Sequence, residues 1–299
     1  MKKRIIRFFM RLFAALPLGV HYANAHFVGW MARVVVRYRY AVVKTNIDNA
    51  FPELSEKERK GIVKAFYLHF GQIVCETIWF GGSKGKRLRR SHIVSIKNPE
   101  EIERLYNAAP GTIVFCSHLG NWELYGGIPF YNYTDKPMPV DFDNAGVVYR
   151  KLKNATWDEI FKENRKFCHP EFEHLVESSN IIRHILTHMD KKMFYFMNTD
   201  QWPYFSAPSY IMVDFMGQRT RTMSGGATVA NKYSLAVTYL SMTRREGNKK
   251  YEMEFKTICD NASTMTVQQI MDRYYELLEI DIRKDPGNYL WSHKRWKKC

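Results

Sequence analysis

Short apolar runs alternate along this chain with stretches of helical periodicity, and that alternation constrains the fold more than any other feature. Strand-like runs stand at T-I-V-F-C-S (112–117), M-P-V-D-F (138–142), M-F-Y-F-M (193–197), L-A-V-T-Y-L-S-M (235–242) and Y-E-M-E-F-K-T-I (251–258). Helical patterns occupy residues near 155–168, 178–190 and 222–233, and a last one runs over about 265–284. Strands alternating with helices predict an α/β fold with a mostly parallel central sheet flanked by helices. Upstream, Ser55 and Glu58 match a capping box, and Ile62, Val63, Phe66, Phe70, Ile73, Val74 and Ile78 recur behind it at helical spacing. G-G-S-K-G-K-R-L-R-R (81–90) reads as a loop, and P-E-E-I-E-R-L-Y opens another short helix. Without internal repeats, low-complexity tracts or a clear linker, a single main domain is the economical organisation.

The charge balance narrows the partners. The 299 residues carry 45 Lys+Arg against 30 Asp+Glu, a net charge of +15. Such an excess favours a polyanion, which nucleic acid, anionic lipid and an acidic carrier protein all satisfy. No paired C-x-x-C…H-x-x-x-H and no aromatic RNA-binding signature is present, so a nucleic-acid partner is not expected. The five cysteines (Cys75, Cys116, Cys168, Cys259 and Cys299) are scattered and odd in number, which suits a reducing compartment and neither a disulfide framework nor a zinc ribbon. Cys116, on an apolar run, reads as a small buried thiol.

The N-terminus, M-K-K-R-I-I-R-F-F-M-R-L-F-A-A-L-P-L-G-V, is basic and apolar at once. A spanning helix needs about 20 mostly apolar residues, and here Arg7, Arg11, Pro17, His21, Asn24 and His26 intervene. A basic start, the apolar stretch 12–20 and Ala23-Asn24-Ala25 follow the order of a signal peptide, but the arginines break its apolar part and residues 27–40 continue the same mixture. The favoured reading is an interfacial anchor, with Phe8, Phe9, Leu12, Phe13 and Trp30 among acyl chains and Lys2, Lys3, Arg4, Arg7 and Arg11 among headgroups. A tilted or re-entrant insertion, or a buried helix with a solvated basic face, are the alternatives.

Residues 117–123 read S-H-L-G-N-W-E directly after T-I-V-F-C. In α/β sheets the carboxyl ends of strands are preferred places for chemistry. On one continuous helix His118 and Glu123 would lie roughly 140° apart, so they meet only if the histidine sits in the turn before the helix. An imidazole oriented by a carboxylate can take the proton of an attacking alcohol. The H-x-x-x-x-E spacing alone also fits a chance pair or a histidine capping a strand.

H-L-G-N-W-E resembles the signature of the bacterial late lipid A acyltransferases (lauroyl/myristoyl transferases), within the glycerolipid acyltransferase superfamily. The resemblance extends through N-I-D-N-A-F-P-E (46–53), V-V-Y-R-K-L-K-N (147–154), N-T-D-Q (198–201), V-D-F-M-G-Q-R-T-R-T-M-S-G-G-A (213–227) and Y-L-W-S-H-K-R-W-K (289–297). It implies residues 1–40 as a membrane-anchor segment and 41–299 as an acyltransferase catalytic domain, on the cytoplasmic face of the inner membrane. Such an enzyme takes a fatty acyl group from an acyl thioester, usually on acyl carrier protein, and esterifies a hydroxyl of a lipid A precursor. By motif position His118 would be the general base, Glu123 its partner, and Arg150, Arg165 and Asp200 substrate-binding groups; no cofactor is implied. Residues 131–146 are more acidic and aromatic than expected of the family, which leaves a lysophospholipid, an aminolipid or another glycolipid as alternative acceptors. Hydrolysis of the thioester by water is a rival chemistry.

Two features weigh less. His184 and His188 are four apart, near Cys168, His169 and His174, but no H-E-x-x-H or second ligand cluster accompanies them, so no metal is expected. M-S-G-G-A lacks a phosphate-binding loop around it and reads at least equally as close helix packing.

Overall fold

The computed structural model describes residues 2–203, 210–245 and 250–297; Cys299 and the side chains of Lys2 and Lys3, named above, lie outside the described residues. The strands are β1 (Val94–Ile96), β2 (Thr112–Cys116), β3 (Ala145–Tyr149), β4 (Leu175–Glu177), β5 (Phe194–Asn198), β6 (Tyr210–Phe215), β7 (Gln218–Met223), β8 (Ala236–Arg244) and β9 (Tyr251–Cys259). Seven form one sheet in the order β1-β9-β8-β2-β5-β3-β4, and β6 and β7 form a separate hairpin. Strands β8, β2, β5, β3 and β4 run parallel, while β9 is antiparallel to β8 and carries β1 with it.

The helices are α1 (Lys2–Ala14), α2 (Leu18–Trp30), α3 (Tyr40–Ala50), α4 (Glu56–Phe80), α5 (Gly85–Ser91), α6 (Pro99–Ala108), α7 (Ala155–Lys166), α8 (Ile181–Thr187), α9 (Gly225–Lys232) and α10 (Val267–Lys284). β2 explains why both faces of the sheet are covered, because every one of its residues is buried. Ile113 and Phe115 point into a core shared with α9 and α10, and Val114 and Cys116 into a second core with Phe80, Leu88, Leu240 and Phe255.

Three local expectations are corrected. Residues 138–142 are not a strand: Pro137 and Pro139 have no N–H for a ladder, and the Asp141 carboxylate accepts from the N–H groups of Asp143 and Asn144 at 2.8 and 3.0 Å, closing a turn. The strand is β3, immediately beyond. The basic stretch 81–90 contains α5, pinned by buried Leu88. The hairpin β6–β7 escaped the apolar-run criterion because β7 is Q-R-T-R-T-M; its turn residues Met216 and Gly217 both have positive φ, at 52° and 70°, as a tight two-residue turn requires.

Among the described residues, no single helix is long and apolar enough to cross a membrane. The pair Arg4–Ala14 and Leu18–Val35 has sufficient length and apolar composition only together, and is bent by 116°. Phe8, Phe9, Leu12 and Trp30 are exposed, whereas Phe13 is half-buried with its ring 4.6 Å from that of His21. Helix α2 crosses α4 with the backbones nearly touching: a Cβ on Gly71 would sit 2.3 Å from the Ala25 carbonyl oxygen and 2.6 Å from Gly29 N. Gly71→Ala would gain about 1 kcal/mol of helix propensity yet must push two backbones apart, at a cost of about 1–3 kcal/mol or more. Thermal unfolding is expected to show a lower Tm; a raised Tm would mean that α2 and α4 are not in this contact.

Candidate active site

β2 ends at Cys116, and the next residues turn sharply over the sheet edge. Gly120 makes the turn possible, with φ at +73° and no room for a Cβ, which would lie 2.6 Å from the Met242 side chain and 2.9 Å from its carbonyl oxygen. The loop is tied to the C-terminal segment: Gly120 N donates to Asn288 O at 3.0 Å and Leu290 N donates to His118 O at 3.1 Å. Beneath it, His69 Nε2 lies 3.3 Å from Gly120 O, and burial followed by the nearby Arg244 charge holds His69 down to about 3, so its ring is neutral.

His118 projects from this loop with its side chain 13% exposed. Its Nδ1 lies 2.7 Å from Asp200 Oδ1, and its main-chain N–H donates to Asp200 Oδ2 at 3.1 Å. Asp200 follows β5, the parallel neighbour of β2, so pairing of the two strands brings the two residues together. Burial works against ionisation of Asp200, but the His118 ring, the His118 main-chain N–H and the Arg295 guanidinium outweigh it and hold the carboxyl below the ordinary aspartate range. An ionised carboxylate on Nδ1 fixes the proton there and leaves Nε2 as the lone-pair atom. Gln201 Nε2 lies 3.1 Å from that atom, and the Trp122 ring stands edge-on to the imidazole at 4.7 Å.

Glu123 does not take the orienting place expected of it. Its carboxylate is gripped bidentately by Arg165, with Nε to Oε2 and Nη2 to Oε1 both at 2.8 Å. Arg165 lies near the end of α7, which packs beside the loop, and sequence distance gave no sign that the two would meet. His118, Glu123, Arg150 and Arg165 all line one cleft of about 270 Å³, whose apolar wall includes Val147, Val148, Leu152, Phe196 and Met197. Asp200 stands behind the ring, 1% exposed.

Two supporting groups escaped sequence reasoning. Arg295 is 1% exposed and donates to Thr220 Oγ1, Arg221 O and the Tyr275 hydroxyl at 2.7, 2.8 and 2.9 Å, placing a buried positive charge near Asp200. Its only sequence signal is membership of Y-L-W-S-H-K-R-W-K. Glu76, on α4, accepts from Asn121 Nδ2 and the Tyr251 hydroxyl at 2.9 Å and from Gln72 Nε2 at 2.7 Å. Through Asn121 it holds the loop from below.

Residues 4–298 match the family described as bacterial lipid A biosynthesis acyltransferase. The chain belongs to this family. It is similar to the lipid A biosynthesis palmitoleoyltransferase of Escherichia coli (strain K12) and to the lipid A biosynthesis acyltransferase of Shigella flexneri. Each is 21% identical over 294 residues, covering 96% of this chain and 88% of the relative.

In this lipid A acyltransferase the thiol nearest the loop is no exposed nucleophile: Cys116 is fully buried, and desolvation pushes its pKa well up. Of the two glycines of M-S-G-G-A, Gly226 serves packing, since a Cβ there would lie 2.8 Å from the Phe115 ring, whereas one on Gly225 would meet nothing within 4 Å. Cys168 and His169 are occupied elsewhere, Cys168 against Gly126 O and His169 stacked on Phe142 at 4.2 Å.

Burial pushes Glu76 from 4.5 up to about 7, against its surrounding donors. A carboxyl whose folded pKa is raised binds its proton more tightly when folded, so its contribution to stability is greatest below 4.5 and is lost as pH rises through about 7. The stability of the wild type relative to Glu76→Gln, from denaturant unfolding, should fall across that window by on the order of 3 kcal/mol. A flat difference would show that Glu76 is ionised throughout.

Proposed function

We propose that this acyltransferase moves a fatty acyl group from a thioester on acyl carrier protein to a hydroxyl of a lipid A precursor, working at the cytoplasmic surface of the inner membrane. The observation that carries the chemistry is the His118–Asp200 hydrogen bond, with Nε2 turned to the cleft. The acceptor hydroxyl replaces Gln201 at Nε2 and gives up its proton as its oxygen attacks the thioester carbonyl. Asp200 stabilises the imidazolium that forms. The tetrahedral intermediate then expels the thiolate, which takes the proton back from His118, leaving ester and thiol with no acyl group on the enzyme.

The rest of the cleft suits the two substrates. Arg150 and the Glu123–Arg165 pair form a polar side fitted to a phosphorylated sugar, and the apolar wall suits the acyl chain. The Glu123 carboxylate, 7% exposed, acts by fixing Arg165 rather than by touching the base.

The membrane reading rests on where apolar surface is exposed. Most of the large hydrophobic side chains exposed among the described residues lie between Ile5 and Tyr38. This surface adjoins the cleft through α7, because Arg7 pairs with Glu163 while Arg165, two residues on, reaches Glu123. Helix α7 thus touches both the N-terminal helices and the cleft, and the basic surface offers contacts to both anionic lipid and an acidic carrier. Phe8→Glu combined with Leu12→Glu should lower binding to anionic vesicles at least tenfold in a co-sedimentation assay while Tm is retained; unchanged binding would remove the anchor.

For the chemistry, the assay is mass spectrometry of product formed from acyl carrier protein thioester and a lipid A precursor. His118→Ala and Asp200→Asn should each lower kcat by about 10³–10⁴-fold while the fold is retained by circular dichroism. Undiminished transfer by His118→Ala would refute the assignment, and release of free fatty acid without acylated lipid would identify a thioesterase.

A further inference from the structure

Away from the cleft, three histidines converge. His174 immediately precedes β4, His184 lies on α8 and His188 follows it; one ring nitrogen from each lies within 4.8 Å of the other two. His174 Nδ1 and His184 Nε2 face each other at 3.1 Å. The rings of His184 and His188 stack at 4.1 Å. From these positions we propose that His174, His184 and His188 form a binding site for a divalent transition-metal ion of the zinc type.

The geometry fits such an ion. With Zn–N bonds of about 2.0–2.1 Å, ligand nitrogens in a tetrahedral site lie roughly 3.4 Å apart, close to the His174–His184 separation. His188 has to close by roughly 1–2 Å, within reach of a side-chain rotation. The outer nitrogens are already held, as in metal sites where second-shell partners fix the ring. His184 Nδ1 lies 3.1 Å from the Tyr195 hydroxyl, and His188 Nδ1 lies 2.9 Å from both His184 O and Thr187 Oγ1. That leaves Nε2 of each for the ion, with Nδ1 of His174.

The electrostatics permit it too. Burial, then the neighbouring histidines and Lys191, hold His184 down to about 4, so that its lone pair is free at neutral pH; Glu173 acts on the cluster with the opposite sign. Three imidazole ligands suit zinc, nickel, cobalt or copper and not magnesium or calcium. Three protein ligands leave a fourth position for water.

The consequence is mechanical. His174 stands just before β4, His184 on α8 and His188 just after it, and Tyr195 on β5 backs His184, so a bound ion clamps the start of the outermost strand to its helix and, through Tyr195, to β5. Ser178, just after β4, and Phe196, on β5, line the catalytic cleft, so the clamp stiffens one of its walls. This gives a role to histidines that the transfer chemistry leaves unused, and it stands apart from the assignment of His118.

The test uses untagged full-length protein, stripped with chelator and dialysed against zinc, with metal content read by mass spectrometry. The wild type should hold one zinc per chain that His188→Gln does not retain, and saturating zinc should raise the wild-type Tm by about 5 °C and leave the His188→Gln Tm unshifted. Cobalt(II) soaked into the stripped wild type should show the visible bands of a tetrahedral site, absent in His174→Gln. Equal zinc content and equal Tm response in wild type and His188→Gln, or cobalt spectra that ignore His174→Gln, would overturn the site and leave a hydrogen-bonded histidine cluster only.

Discussion

The hydrogen bond between His118 and Asp200 depends on almost everything else in the molecule, and the chemistry proposed for the site depends on it. A carboxylate that is 1% exposed stays ionised only where charge and donors compensate for lost water. Here the compensation comes from the imidazole, a main-chain N–H and Arg295, which itself is held by Thr220, Arg221 and Tyr275. The base is thus oriented by a chain of buried polar contacts running from β5 through the C-terminal segment to β7 and α10. Removing one link leaves another buried group unpaired.

The loop carrying His118 is fixed from three further sides. Main-chain hydrogen bonds from residues 288–290 pin it laterally, Glu76 and His69 on α4 hold it from beneath, and the Glu123–Arg165 pair ties its downstream end to α7. Such rigidity has a catalytic use, since an imidazole fixed near its working geometry spends little free energy on reorganisation when the hydroxyl arrives. Helix α7 also reaches toward α1 through Glu163 and Arg7, so the exposed apolar N-terminal surface and the cleft share one structural support.

The sheet order accounts for the division of labour among the strands. β2 and β5 lie side by side at its centre and deliver His118 and Asp200 from their carboxyl ends. β3, toward one edge and only partly buried, supplies the apolar wall together with β5, and β4 lies outside it. The histidine cluster lies at the opposite end of β4 and β5, with His174 just before β4 and His184 against Tyr195.

Much of this was written in local sequence, because local sequence governs local physics. The runs that became β2, β5, β8 and β9 are apolar throughout or alternate, helix α4 announces itself with a capping box, and S-H-L-G-N-W-E marks a strand end with a glycine that must adopt positive φ. Family membership was likewise legible, since several motifs occur in order along one chain. Pairings between distant side chains were not. Nothing local tells Asp200 from Glu123 as the carboxylate on His118, because that choice follows from which strands lie adjacent in the sheet. The same holds for Arg165 on Glu123, Arg295 behind Asp200 and His174 beside His184. Sequence sets which groups are available and the periodicity of their backbone; only the packed sheet, through long-range burial and strand order, decides which of them meet.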